Sequence, residues 1–147
     1  MNLPHALIFL LAAFLAGTPP AFAADDGIVT RPVRFSKGAS AATIHGALKG
    51  RQTIDYTLRA RAGQTMKVEL KTENTALYFN VLPPGSNDVA IHVGSTNGND
   101  WTGTLPQDGE YKVRVYLMRS AGRRGESAPF TLTIGVTGAP SATRRRR

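Results

Sequence analysis

The chain has 147 residues, no cysteine and a formal net charge of +8. The absence of cysteine excludes disulfides, thiolate metal sites and cysteine nucleophiles. A chain of this length can bury one hydrophobic core without cross-links, so we expect a single domain.

The first 23 residues have the pattern of a secretory signal peptide. Ala6 to Leu15 form an apolar run that suits a signal sequence and is too short to cross a bilayer comfortably. Ala21, Phe22 and Ala23 form a small-residue cleavage site, although no Lys or Arg precedes the apolar run. We therefore predict cleavage before Ala24, a periplasmic or secreted location and no stable membrane insertion.

Residues 24–32 are predicted to be an N-terminal extension and residues 33–137 an all-β domain. Apolar residues there recur at every second position, which is typical of strands buried on one face, and glycine-containing turns separate the runs. This pattern predicts an antiparallel β-sandwich of seven to eight strands without helices. Polar neighbours such as Asp55 and Thr57 are predicted to face water. The inward sets are Ile54, Tyr56 and Leu58; Met66, Val68 and Leu70; Tyr111, Val113, Val115 and Leu117; and Phe130, Leu132, Ile134 and Val136.

Several aromatic residues allow two interpretations. They are Tyr78, Phe79, Trp101 and Tyr111. Exposed on one surface, such rings would form a sugar-stacking platform. Core packing is favoured, because large aromatic side chains dominate the burial of a small sandwich.

The histidines and acidic residues give little indication of catalysis. His45 and His92 are the only histidines after the predicted cleavage site, and their spacing fits neither a metal pair nor a catalytic triad. Both are predicted to be exposed. A calcium site would need the oxygen ligands of Asp88, Asn97, Asn99 and Asp100, whose spacing matches no known calcium loop. No enzyme activity, cofactor or metal site is predicted.

The segment from Tyr111 to Arg124 joins an alternating strand to a turn rich in arginine. Arg119, Arg123 and Arg124 extend from the end of this strand. Guanidinium groups on a fixed backbone can pair with carboxylates or phosphates in bidentate geometry. The segment is therefore either a recognition loop or a hairpin tip whose arginines face water.

Residues 138–147 are predicted to be a disordered basic tail. Arg144 to Arg147 supply half of the net charge and follow the sequence Gly-Ala-Pro-Ser. Such a run could contact nucleic acid, lipopolysaccharide or anionic lipid, but a solvated terminus is favoured and no nucleic-acid partner is predicted. An anion-binding surface protein that uses this tail remains an alternative.

Short motifs follow one another through nearly the whole mature domain. They are Phe35-Ser36-Lys37-Gly38, Ser40-Ala41, Gly46, Lys49-Gly50, Asp55-Tyr56-Thr57, Ala62-Gly63-Gln64, Leu105-Pro106, Gly109, Tyr111 and Arg114-Val115, and then Arg119 and Arg123. This order resembles the periplasmic inhibitors of goose-type (g-type) lysozyme. Two of the motifs, Ala-Gly-Gln and Leu-Pro-x-x-Gly-x-Tyr, also mark the bacterial pre-peptidase C-terminal domain, so an accessory or glycan-binding module is the alternative function.

The resemblance implies a β-sandwich protein that blocks the active-site cleft of a g-type lysozyme. Arg119 and Arg123 match the two inhibitory arginines of the family, and we add Ser120 and Arg124 as candidate partner-binding residues. Arg51 stands where the family has a tyrosine after Lys-Gly. This departure either extends the cationic patch or changes the choice of target.

Overall fold

The computed structural model describes residues 27–141, so the predicted signal peptide and the four terminal arginines lie outside the described residues. The described part forms two packed sheets with two short helices. Its elements are β1 (Ile28–Pro32), β2 (Ala41–Lys49), β3 (Thr53–Ala60), β4 (Thr65–Lys71), β5 (Leu77–Leu82), β6 (His92–Val93), α1 (Gly94–Asn97), β7 (Asp100–Thr104), β8 (Gly109–Leu117), α2 (Arg119–Arg123) and β9 (Ser127–Thr137).

The sheets have five and four strands, in the orders β1-β3-β8-β5-β6 and β2-β9-β4-β7. Every strand pair is antiparallel except β1 with β3, which is parallel. The predicted all-β sandwich is confirmed, with nine strands rather than seven to eight. β1 lies within the segment that we predicted to be an N-terminal extension.

The core consists of the predicted inward-facing side chains of both sheets. Every member of the four predicted sets is buried except Val136, which is partly buried and packs against the core. Phe79 and Tyr111 are fully buried, and the Tyr111 hydroxyl donates to the Gln107 carbonyl at 2.6 Å. Trp101 is partly buried against the same core. For these three aromatic residues, the structure therefore supports core packing over a sugar platform.

The prediction of no helices is wrong, because α1 and α2 are short helices of four and five residues. Neither is long enough to show the 3.6-residue periodicity by which a helix is recognised in a sequence.

Asp55 and Thr57 do not face water as predicted, because both are buried. The Asp55 carboxylate accepts hydrogen bonds from Arg114 Nε at 2.7 Å and Nη2 at 2.9 Å, across the β3–β8 register. β1 pairs with β3 on its other side. β3 is therefore flanked by a strand on both edges, and the buried carboxylate has a bidentate partner.

The prediction for His92 is also wrong, whereas His45 is exposed as predicted. His92 is 3% exposed and packs between the rings of Phe79 and Trp101, at centroid distances of 4.9 and 5.8 Å. Its Nε2 forms a hydrogen bond of 2.9 Å with the Gly98 carbonyl. Burial lowers the pKa of His92, and the hydrogen bond to Gly98 opposes this effect only in part.

Candidate functional site

The arginine-rich turn is held against the sandwich as α2. Its inner side consists of Ala121 and Gly122, which are buried, and Ala121 belongs to the hydrophobic core. The Met118 N–H donates to the Ala76 carbonyl at 2.9 Å just before the helix begins. After the helix, the Glu126 N–H donates to the Ala121 carbonyl at 3.2 Å. The backbone of the turn is therefore fixed from both ends.

Gly122 permits a close approach between α2 and the turn that joins β2 to β3. A Cβ atom at position 122 would lie 3.1 Å from the Gly50 carbonyl oxygen and 3.6 Å from Arg51 Cγ. The Gly50 N–H donates to the Glu126 carbonyl at 2.9 Å, so the two turns are also joined by a hydrogen bond. This contact brings Arg51 beside α2.

Arg119, Ser120 and Arg123 lie on the outer side of α2 and are exposed. Within residues 27–141, no hydrogen bond or ion pair engages the guanidinium group of Arg119 or Arg123. Both side chains line a groove of about 530 Å³, together with Arg51. The structure thus assembles three of the five predicted site residues around one cationic groove.

Arg124 is placed differently. Its Nε and Nη2 atoms donate to Glu126 Oε1 at 3.0 and 2.6 Å. Glu126 Oε2 also accepts a hydrogen bond from Asn74 Nδ2 at 3.0 Å. The hydrogen bonds from Asn74 and from Arg124 lower the pKa of Glu126. Arg124 therefore already has a carboxylate partner within the chain.

Asn80 and Tyr116 are two of the groove residues that sequence reasoning did not assign to the site. The Tyr116 hydroxyl donates to Asn80 Oδ1 at 3.2 Å, which links β8 to β5 on the outer face of the five-stranded sheet. The signal was available, because Tyr116 follows Arg114 at period two on the outward face of β8.

The described residues contain no group of three or more His, Asp or Glu side chains that could hold a metal ion. Asn99, one of the residues considered for calcium, donates from Nδ2 to the Leu77 carbonyl at 2.9 Å, while its Oδ1 is buried without a hydrogen-bond partner in the described part of the chain. Within residues 27–141, no helix is long and apolar enough to cross a membrane. The groove offers cationic hydrogen-bond donors, whose natural partners are carboxylates and phosphates.

No family model matches the chain. A curated relative is the "Inhibitor of g-type lysozyme" of Escherichia coli (strain K12), which is 30% identical over 129 residues, or 86% of this chain and 92% of the relative. The crystal structure of Aeromonas hydrophila PliG superposes with a TM-score of 0.69 at 41% identity, covering 75% of this chain and 97% of that chain. The crystal structure of Salmonella Typhimurium PliG superposes with a TM-score of 0.57 at 26% identity, covering 74% of this chain and 98% of that chain.

Both solved relatives are named as periplasmic lysozyme inhibitors of g-type lysozyme, which confirms the predicted periplasmic or secreted location. A pre-peptidase C-terminal domain from a Bacillus anthracis collagenase is also similar, but its 17% identity and TM-score of 0.49 are too low to carry an argument about function. The sequence identity, the coverage and the shared fold agree, and the chain belongs to the family of periplasmic inhibitors of g-type lysozyme.

Proposed function

We propose that this protein inhibits a g-type lysozyme by placing α2 in the active-site cleft, where Arg119 and Arg123 bind carboxylates of the enzyme. The observation that carries the proposal is that these two guanidinium groups are exposed and have no partner within residues 27–141. The backbone that bears them is fixed by the buried Ala121 and Gly122.

The chemistry of a lysozyme cleft fits this arrangement. Glycoside hydrolases of this kind use carboxyl side chains around the scissile bond, and such groups are the preferred partners of guanidinium forks. A helix that occupies the cleft and neutralises these carboxylates excludes peptidoglycan. Because α2 is ordered before binding, little conformational entropy is lost on association.

Arg51 and Ser120 have supporting roles in this proposal. Arg51 lines the same groove as Arg119 and Arg123 and contributes positive charge beside α2. Ser120 is exposed between the two arginines and offers a hydroxyl to the enzyme.

The test is a lysis assay in which a g-type lysozyme clears a suspension of bacterial cell walls with and without the purified protein. Truncating Arg119 or Arg123 to alanine leaves a desolvated carboxylate on the enzyme, at a cost of about 2–5 kcal/mol. The affinity is expected to fall by roughly thirtyfold to several thousandfold. Lysine substitution should restore only part of it, since an ammonium group lacks the bidentate geometry.

Arg59 and Arg61 provide a matched control, because they are exposed arginines at the opposite end of β3 from α2. The Arg59→Ala and Arg61→Ala variants remove the same charge and should inhibit like the parent. Full inhibition by the Arg119→Ala, Arg123→Ala double variant would refute the α2 mechanism. A parent protein that binds cell-wall polymer and leaves every tested g-type lysozyme active would refute the inhibitory function itself.

A further inference from the structure

β2 differs from the other three edge strands of the two sheets that residues 27–141 form. An exposed strand edge is a template for another strand unless short length, charge or proline protects it. β6 has only two residues, β1 has five and includes Arg31 and Pro32, and β7 has five and begins at Asp100. β2 has nine residues and no proline, and Lys49 at its end is its only Lys, Arg, Asp or Glu.

Hydrogen bonds at the two ends of β2 show which of its backbone groups point away from the sheet. The Val136 N–H donates to the Ser40 carbonyl and the Gly50 N–H to the Glu126 carbonyl, both at 2.9 Å. The register between β2 and β9 is continuous, with no bulge. In an antiparallel pair the hydrogen-bonded positions alternate, so the even-numbered residues of β2 pair with β9.

The odd-numbered residues of β2 therefore direct their N–H and C=O groups to the outer edge. At Lys49 this N–H donates to Gln52 Oε1 at 3.2 Å. No strand of the described part of the chain pairs with the edge at Ala41, Thr43, His45 or Ala47, and all four residues are exposed. Four consecutive donor and acceptor pairs are left open to an incoming strand.

We propose that the outer edge of β2 pairs antiparallel with β2 of a second copy of this chain, which joins the two four-stranded sheets into one of eight strands. A two-fold axis at His45 aligns all nine residues of the two strands. Each odd-numbered residue then lies opposite an odd-numbered residue of the other copy, as required because these residues direct their N–H and C=O groups to the outer edge. Thr43 then lies opposite Ala47, and His45 lies opposite its own copy.

The side chains at this seam are compatible with close pairing. Ile44, which is partly buried at the edge of the core, lies opposite Gly46 of the second copy, over which the Phe130 ring of that copy packs, so the contact there is apolar. Alanine and threonine occupy three of the five outer-edge positions, His45 lies at the axis, and the charged Lys49 lies opposite the small Ala41. A single pair of nine-residue strands buries less surface than a permanent dimer interface, so the association is weak and depends on concentration.

The pairing of two copies affects how the protein could inhibit an enzyme. This effect rests on the proposed function, whereas the pairing itself does not depend on it. α2 contacts Gly50, in the turn that follows β2. Antiparallel pairing places the two copies of this turn at opposite ends of the shared seam. Both α2 helices therefore face outward, and the dimer can bind two enzyme molecules.

Sedimentation equilibrium from roughly 1 µM to 1 mM protein measures the association, a range suited to weak interfaces. We expect a monomer–dimer equilibrium for the parent. His45→Lys places two like charges directly opposite each other at the axis and should weaken dimerisation by at least about tenfold. Thr102→Lys is the matched control, since it adds the same charge to an exposed position on β7, at the other edge of the same sheet, and should dimerise like the parent.

A backbone variant tests the hydrogen bonds directly. His45→Pro removes an N–H that faces the outer edge and leaves the hydrogen bonds to β9 in place, so the variant should keep its cooperative thermal unfolding while losing dimerisation. In the parent, the amides of Thr43 and Ala47 should gain protection from hydrogen exchange as the concentration rises.

Three results would overturn the proposal. They are a monomer at every concentration, equal weakening by His45→Lys and Thr102→Lys, and protection of the β2 amides that is seen only after lysozyme is added. The last result would assign this edge to the enzyme instead of a second copy.

Discussion

Arg114 and Arg119 lie five positions apart in the chain, and their surroundings differ sharply. Arg114 is on β8, where its guanidinium group binds Asp55 through two hydrogen bonds and donates from Nη1 to the Asn87 carbonyl at 2.9 Å. Arg119 begins α2 and is exposed, and its guanidinium group makes no hydrogen bond or ion pair with residues 27–141.

The difference shows that strand register decides what an arginine does in this molecule. Within the sheet, residue 114 lies directly opposite residue 55, so the charge of Arg114 is matched by a carboxylate of the same chain. Beyond the end of β8 no neighbouring strand supplies such a residue, and the charge of Arg119 is left for a partner. One arginine stabilises the fold, and the other serves recognition in the proposed mechanism.

The largest expected effect comes from removing the partner of Arg114. Asp55→Ala leaves a mostly buried guanidinium group without its carboxylate, which should reduce the free energy of unfolding by about 3 kcal/mol. Urea unfolding measures this loss, and the folded fraction should still inhibit lysozyme. If Asp55→Ala with Arg114→Met is no more stable than Asp55→Ala alone, the uncompensated charge is not the cause.

A smaller effect is expected from separating α2 from the turn that it contacts. Gly122→Val places a branched side chain where a Cβ alone would already be 3.1 Å from the Gly50 carbonyl oxygen. The unfolding free energy should fall by about 1–3 kcal/mol, and inhibition should weaken because Arg119 and Arg123 move with the helix. Ser120→Ala, an exposed change on the same helix, should alter the unfolding free energy by less than about 0.5 kcal/mol. Unchanged inhibition by Gly122→Val would show that the position of α2 is unimportant.

Titration separates the fold from the arginines, since guanidinium groups keep their charge throughout the ordinary pH range. Burial lowers the pKa of His92 in the folded state, so below about pH 6.5 the unfolded chain binds more protons there than the folded one does. The stability contributed by neutral His92 is complete above this pH and is lost as the pH falls through the folded-state pKa. Urea midpoints between roughly pH 8 and 5 should decrease for the parent and flatten for His92→Gln. An equally steep decrease in His92→Gln would assign the loss to other groups.

The smallest effect is expected at Arg124, whose guanidinium group already pairs with Glu126 at the surface. Arg124→Ala should leave lysozyme affinity and fold stability close to those of the parent, because an exposed ion pair contributes little. Titration in the same lysis assay compares it with Arg119→Ala. Equal losses in the two variants would mean that pairing within the chain does not decide which arginine acts on the enzyme.

The sequence predicts those parts of the fold that period two controls. The alternation from Tyr111 to Leu117 identified the inward face of β8 correctly, and every one of these four apolar residues is buried. The alternation rule failed at Asp55 and His92, because it assumes that one face of each strand is exposed to solvent. Arg114 on the neighbouring strand β8 covers Asp55, and rings from β5 and β7 surround His92. The alternation within a single strand does not encode these contacts.

The candidate site was predictable in its residues and not in its arrangement. Arg119 and Arg123 stand out as cations after a strand, and Arg51 follows a lysine-glycine turn. Their meeting depends on the contact between Gly122 and Gly50, a packing of two turns that no local pattern encodes. The pairing of Arg124 with Glu126 likewise depends on how the chain turns at Gly125, whose φ is 69°.

The division of α2 into a buried side and an exposed side also bears on how the family can diversify. Ala121 and Gly122 secure the helix, while the side chains of Arg119, Ser120 and Arg123 make no contribution to the core. Substitutions at exposed positions of this kind usually change the free energy of unfolding by less than about 0.5 kcal/mol. In the proposed mechanism, the surface offered to the enzyme can therefore mutate almost independently of the scaffold, so such an inhibitor can follow changes in its target without losing its fold.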